Sequence, residues 1–406
     1  MRQREGTARR RGGWRATRMG VAGLALYVAG CSDAAGPNGG VAARRAAEAP
    51  VVFDQARLVA ADEEVREQVD RGGFPGAALV VGVGSQEVYR SAVGSVGWTE
   101  GAEPVDAART MFDLASLTKA VATTTAVMLL VEDGRMRLDD PVSRYVPEFA
   151  GGKGRGVTIR QLLSHTAGTR AGAFGMNQDA TPEAARRYLI TRPLALEPGK
   201  DILYSDIGFV VLWTAAERAA REPLSSYLRR RVWVPLGMTS TRMAAPRGCP
   251  RCAPTLRLST GEPYRGGSYD EVGRALNGLA GNAGLFTTAA DLARFAAMIA
   301  NGGQLDGVRV LRRETIDAFL RPQPGAGSFA LGWVTYCREG KVPDHVACKD
   351  VYAVGHTGST GTALWIDPRT GTWMVLLTNR VYEPKIDTDM TRIRRRVYER
   401  LTGQVE

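Results

Sequence analysis

Lysine is almost absent from this chain: of 53 basic residues only 6 are Lys and the other 47 are Arg. Histidine numbers 3, at positions 165, 345 and 356, too few for the His-rich centre of a metal-dependent hydrolase, so no metal or other cofactor is implied. No Gly-x-Ser-x-Gly run occurs, which excludes the strand-to-helix elbow on which α/β-hydrolases mount their serine. No period of roughly 20–50 residues recurs, which excludes repeat architectures. Beyond the N-terminal segment no apolar run reaches the roughly 20 residues that cross a bilayer.

What is present begins with a segment unlike the rest. Residues 1–18 carry seven Arg and one Glu, Met19–Ala29 is apolar, and Val28-Ala29-Gly30-Cys31 places small residues ahead of a cysteine. That order is the order of a bacterial lipoprotein signal peptide over residues 1–30, with Cys31 as the lipidated residue. Residues 31–50 then form a flexible tether of Ala, Gly, Pro and Asn. The expected location is the cell envelope, lipid-anchored and facing the periplasm, with the membrane as a partner through Cys31. Without residues 1–30 the net charge falls from +11 to +5, which does not mark a nucleic-acid binder. The runs Arg229-Arg230-Arg231 and Arg394-Arg395-Arg396 read as solvated helix faces.

About 355 residues remain, enough for one large core. Strand patterns at Gly76–Val83 and Glu87–Val93, and again at 331–336, 363–366 and 373–378, enclose a mostly helical middle. Helices are expected over 52–71 and 384–401, and Thr288-Ala289-Ala290-Asp291 has the form of a capping box. The predicted class is α/β (α+β), with one α/β lobe from residues 51–114 and 300–402 and an inserted helical lobe from 115–299. Cys249, Cys252, Cys337 and Cys348 allow three disulfide pairings, of which the local one is simplest; a four-thiolate zinc site fits less well, because only one pair has Cys-x-x-Cys spacing.

Against this scarcity of lysine, Ser116-Leu117-Thr118-Lys119 stands out. With 15 serines and 6 lysines in the chain, only about 0.2 Ser-x-x-Lys matches are expected by chance. An ammonium can be tuned by its surroundings to exchange a serine proton, whereas guanidinium effectively cannot. The apolar stretch from Ala115 to Glu132 predicts a helix, with Ser116 in its first turn and Lys119 on the same face.

Ser116-x-x-Lys119 is followed by Tyr204-Ser205-Asp206 and then by Gly355-His356-Thr357-Gly358. In this order, with Leu162-Leu163-Ser164-His165-Thr166-Ala167-Gly168 and Gly281-Asn282-Ala283-Gly284-Leu285-Phe286 between, the chain resembles the serine β-lactamase and penicillin-binding-protein superfamily. The likeness is to its class C-like branch of esterases, D-Ala-D-Ala carboxypeptidases and lactamases, and it runs from about residue 52 to 402. It implies a β-lactamase/transpeptidase-like fold, with an antiparallel sheet flanked by helices, and a monomer. Ser116 would be the acylated nucleophile, Lys119 and Tyr204 would share the proton transfers, and the backbone N–H groups of Ser116 and Ser359 would form the oxyanion hole. Tyrosine ordinarily titrates near about pH 10, so Tyr204 needs the Lys119 charge beside it.

Asp206, His356, Thr357 and Gly358 would contact a small-molecule or peptidoglycan-derived substrate. His356 stands where lysine is usual and, partly charged at neutral pH, would hold a substrate carboxylate weakly. Asp206 stands where asparagine is usual; a carboxylate cannot donate to a substrate carbonyl and would instead pair with Lys119. Both departures turn the expectation from a β-lactam toward an ester or a D-amino-acid peptide. A lactamase and a penicillin-binding sensor that does not turn over are the alternatives. His165 reads as structural.

Overall fold

The computed structural model describes residues 54–403 apart from 150, 178, 338–345, 347 and 349. The expected signal peptide, Cys31, the tether and His345 lie outside the described residues. Six strands form one antiparallel sheet: β1 (Gly76–Val83), β2 (Gln86–Gly94), β3 (Val334–Cys337), β4 (Val351–Thr357), β5 (Ala363–Ile366) and β6 (Thr372–Thr378), in the spatial order β3-β4-β5-β6-β1-β2. The two chain ends meet where β1 pairs with β6, Val80 opposite Val375.

Side chains alternate across each strand, so the sheet has two apolar faces. Leu79, Val81, Trp365 and Leu376 point to one face, which is covered by α1 (Gln55–Asp70) and the C-terminal helix Met390–Thr402. Val80, Leu364, Val375 and Leu377 point to the other, larger core. Helix Ala289–Ala300 packs across β1 and β6 on that side, so residues expected in the helical lobe belong with the sheet. The described residues of the body fall in one compact unit.

The helical part surrounds Asp206–Ala220, whose Phe209, Val211, Leu212 and Trp213 are all inaccessible. The helical run Ala115–Glu132 is long and apolar enough to cross a membrane, which the sequence reading did not count, but 83% of it is buried inside the body. Both local disulfides form, Cys249–Cys252 and Cys337–Cys348. Strand β4 was not anticipated as an element, although Val351, Tyr352 and Val354 carry the β-branched and aromatic signal for it.

The capping box at Thr288 is half formed. Thr288 Oγ1 accepts the Asp291 N–H at 3.1 Å, but the Asp291 carboxylate turns away to accept from Ser240 N (2.8 Å) and Thr241 Oγ1 (2.9 Å). Loss of the cap alone costs about 1 kcal/mol. Thr288→Ala is therefore expected to lower the urea midpoint with an unchanged m-value, and an unmoved midpoint would show that the cap contributes nothing.

Candidate active site

Ser116 follows the two-residue strand Phe112–Asp113 on a tight turn in which Ala115 is left-handed, at φ 46°. The regular helix expected from Ala115 is not found. Ala115–Leu117 is a 3-10 turn, Lys119–Thr124 is a π-helix, and α-helical winding starts only at Thr125. The β-branched run Val121, Thr123, Thr124, Thr125 favours helix poorly, and two of its hydroxyls take backbone partners of their own. Thr125 Oγ1 donates to the Ala120 carbonyl five residues back (3.1 Å), and Thr123 Oγ1 donates to the Gly281 carbonyl (2.6 Å). The predicted neighbourhood survives: Lys119 Nζ lies 3.1 Å from Ser116 Oγ.

Tyr204-Ser205-Asp206 forms the entry to helix Asp206–Ala220. Ser205 caps it by accepting the Gly208 N–H (2.9 Å), which leaves Asp206 in the first turn, where the helix dipole favours a carboxylate. Lys119 Nζ donates to Asp206 Oδ1 at 2.6 Å and to the Asn282 carbonyl at 3.3 Å, so with Ser116 Oγ its three N–H donors are all used. The Lys119 side chain is wholly buried. Burial pulls its pKa down, but the Asp206 carboxylate and the Tyr204 hydroxyl more than reverse this, and the ammonium is held above the ordinary lysine value. The stabilisation this brings is complete below the ordinary lysine pKa and is lost only as pH rises through the higher folded value. The expected Lys119–Asp206 pair is thus present.

The Tyr204 ring centroid lies 4.8 Å from Lys119 Nζ and 4.6 Å from the His165 ring. His165 Nδ1 accepts the Ser205 N–H (3.1 Å) and its carbonyl accepts the Leu203 N–H (2.9 Å), the structural role expected of it.

His356 reaches the same place from β4, its ring 6.3 Å from that of Tyr204. Its expected partial charge is corrected. The residue is buried, and burial first, then the Lys119 charge, push its pKa down to about 3. Nδ1 lies 2.8 Å from the Thr357 carbonyl, which can only accept, so the neutral ring carries its proton there. The buried Nε2 has no partner among the described residues. Such a ring is no cation for a substrate carboxylate at neutral pH.

Thr357 ends β4, and Gly358 is a position for glycine alone: an added Cβ would lie 2.2 Å from the Leu114 carbonyl oxygen and 2.3 Å from Thr362 Oγ1. This close approach brings the Ser359 turn against the Ser116 turn. Thr360 Oγ1 donates to the Asp113 carbonyl (2.7 Å) and Thr362 Oγ1 to the Leu114 carbonyl (3.0 Å), fastening the two together. Arg394, expected on a solvated face, is instead buried, and its Nη2 donates to the Gly358 carbonyl at 2.6 Å. Burial lowers its pKa to about 10.

Three residues of the site were not singled out from sequence. Asp113 is a buried carboxylate beside the nucleophile turn; Asp270 accepts from Asn282 Nδ2 (2.9 Å); and Asn282 supplies a carbonyl to Lys119. Burial, then the nearby Asp206 charge, raise the Asp270 pKa. Asn282 was legible only as a member of the segment Gly281–Phe286, and Asp113 carried no signal beyond that of a turn residue.

A serine, a buried ammonium and a tyrosine meeting between a helical layer and an antiparallel sheet define the acyl-transfer class of β-lactamase-like proteins. The Beta-lactamase family model matches residues 61–399, and the chain belongs to this family of hydrolases. It is 30% identical over 376 residues to a "Putative D-alanyl-D-alanine carboxypeptidase" of Escherichia coli K12, covering 82% of this chain and 85% of that one. An N-acetylmuramyl-L-alanine amidase of Bacillus subtilis is 30% identical over 382 residues, covering 83% of this chain and 84% of the relative. Among solved structures, EstCE1, a hydrolase with promiscuous acyltransferase activity, has a TM-score of 0.67 at 23% identity, covering 85% of this chain and 99% of that one. A β-lactamase/D-alanine carboxypeptidase from Pseudomonas syringae has a TM-score of 0.66 at 18% identity, covering 86% and 99%. These likenesses confirm the β-lactamase/transpeptidase-like fold.

The His356 ring is expected to show no proton titration between about pH 5 and 8 in NMR spectra, with the three histidines assigned by single substitution. A midpoint near about 6.5 would contradict the buried neutral ring.

Proposed function

We propose that the protein is a serine hydrolase that forms an acyl-enzyme on Ser116 and acts on a carboxylic ester or on an amide of D-amino-acid or muramyl-peptide type. The observation that carries this reading is Lys119 Nζ, buried and shared between Ser116 Oγ at 3.1 Å and Asp206 Oδ1 at 2.6 Å.

The resting Lys119 is an ammonium with every donor used, so it does not accept the serine proton itself. In the reacting form Tyr204 is the phenolate beside that charge, and it takes the proton as Ser116 Oγ bonds to the substrate carbonyl carbon. The oxyanion is received by the Ser116 and Ser359 backbone N–H groups, each such donor worth roughly 10²- to 10³-fold in rate. Collapse expels the alkoxide or amine, which recovers the proton from Tyr204. Water then repeats the sequence: Tyr204 accepts its proton, the acyl bond to Ser116 breaks as Tyr204 returns that proton to Ser116 Oγ, and the carboxylic acid leaves.

One feature favours a substrate other than a β-lactam: Asp206 offers a carboxylate, paired with Lys119, where the resembled lactamases offer an amide donor. The names of the two relatives support a cell-wall amide, and the esterase neighbour keeps an ester within reach.

Intact-mass measurement after exposure to a short nitrophenyl ester, a D-alanyl-D-alanine peptide and benzylpenicillin tests the reading. A transient adduct is expected with the first two and none in Ser116→Ala; equal behaviour of wild type and Ser116→Ala with every reagent sinks it. A persistent adduct would mark a sensor instead. Lys119→Arg should lose at least about 10²-fold in acylation despite keeping its charge. Asp206→Asn should raise lactam reactivity relative to ester reactivity.

Attachment to the envelope through Cys31 is also proposed, from residues 19–31 alone. Metabolic labelling with a fatty acid should mark the protein and fail in Cys31→Ser; equal labelling of both would exclude Cys31 as the anchor.

A further inference from the structure

We propose that Asp113 is the positioning residue of the nucleophile: its carboxylate holds the left-handed turn at Ala115 that aims Ser116 at Lys119. This rests on the reading of Ser116 as the acylated residue.

Ala115 has φ 46°, a conformation that side-chain-bearing residues avoid and that glycine adopts freely, yet the chain places alanine there. Something outside the turn has to hold it. Asp113 Oδ1 accepts the Ala115 N–H at 2.9 Å, and Oδ2 accepts the Tyr269 N–H at 2.7 Å. The residue is 2% exposed and has no cationic partner within ion-pair distance among the described residues. A buried charge satisfied only by two backbone donors is expensive to keep, and what it secures here is geometry. Its chemistry is specific, because asparagine would present one acceptor and turn an N–H₂ group toward an N–H.

Asp113 also joins the parts of the site. Its own carbonyl receives Thr360 Oγ1 from the turn that carries Ser359 (2.7 Å), while its side chain receives Ala115 and Tyr269. Tyr269 leads directly to Asp270, which holds Asn282, whose carbonyl meets Lys119. One side chain therefore touches the nucleophile turn and the loop that reaches the ammonium.

The charged groups facing Asp113 are Asp270 and Arg274, from the loop and short helix Glu271–Ala275 packed across it. Arg274 Nη1 is engaged with the Tyr269 carbonyl, and Asp270 with Asn282 and the Gly273 N–H, so neither is bonded to Asp113. Burial raises the Asp113 pKa to about 6, with the two backbone hydrogen bonds opposing. The clamp is charged at neutral pH. Below about pH 6 a proton enters between two N–H donors, where it has no acceptor, and the turn loosens. The sign for folding is opposite: the folded state holds this proton more tightly than the unfolded chain, so the contribution to stability declines as pH rises from about 4 to 6.

Acylation of Ser116 by a short nitrophenyl ester, followed between pH 5 and 8, tests this. Wild type should lose rate as pH falls through about 6. Asp113→Asn should lower kcat by about 10²-fold with KM little changed and should remove that acid limb. Adding Ala115→Gly to Asp113→Asn should recover at least about tenfold, because glycine needs no clamp to be left-handed. If Asp113→Asn keeps the wild-type rate and acid limb, or the double variant is as slow as the single one, the proposal is overturned. Should Asp113→Asn fail to fold, Ala115→Gly alone decides: a diminished acid limb supports the clamp, and an unaltered one overturns it. Equal ester reactivity in Ser116→Ala would instead remove the parent reading and this one with it.

Discussion

A single buried ammonium organises this molecule. Lys119 is taken wholly out of solvent, which costs several kcal/mol unless its charge is met and its donors are filled. The chain meets that demand from three separate places: Ser116 one turn away, Asp206 at the mouth of a long helix, and the Asn282 carbonyl in a loop. Those segments come together because the lysine cannot be buried without them. The same requirement explains why an Arg-rich sequence keeps a lysine here, since a planar guanidinium would not point three donors at three such acceptors.

The surroundings of that charge carry the chemistry. Tyr204 and His356 are both near Lys119: the tyrosine ring centroid lies 4.8 Å from the ammonium, and the charge helps to keep the imidazole neutral. The site therefore brings together the paired Lys119 cation and neighbouring carboxylates at Asp206 and Asp270. This balance arises from side chains held within the fold of the family.

The main strands, the flanking helices and both disulfides were readable because each follows from local pattern: a short continuous apolar run in Gly76–Val83, a cap before Ala289, cysteines close in sequence. The site was readable through lysine scarcity and the order of Ser116, Lys119, Tyr204 and His356. What could not be read depends on distant packing. The π-helical winding at Lys119–Thr124 answers to hydroxyls that bond Ala120 and Gly281, and the neutrality of His356 answers to burial behind β4. Arg394 sat in a run of three arginines that looks like surface, and only the tertiary fold separates it from its neighbours. Arg396 pairs with Glu64 and Arg395 with Glu399, while Arg394 turns inward.

That inward arginine has a consequence for how the protein comes into being. Ser116 leaves the ribosome early, but the carbonyl beside its turn is braced by a guanidinium from the final helix, and β1 waits for β6 before it has a neighbour on that side. A nascent chain can carry every chemical group of the site and still lack the arrangement. The arrangement around Ser116 therefore depends on helix Met390–Thr402 as much as on the segment that carries the serine.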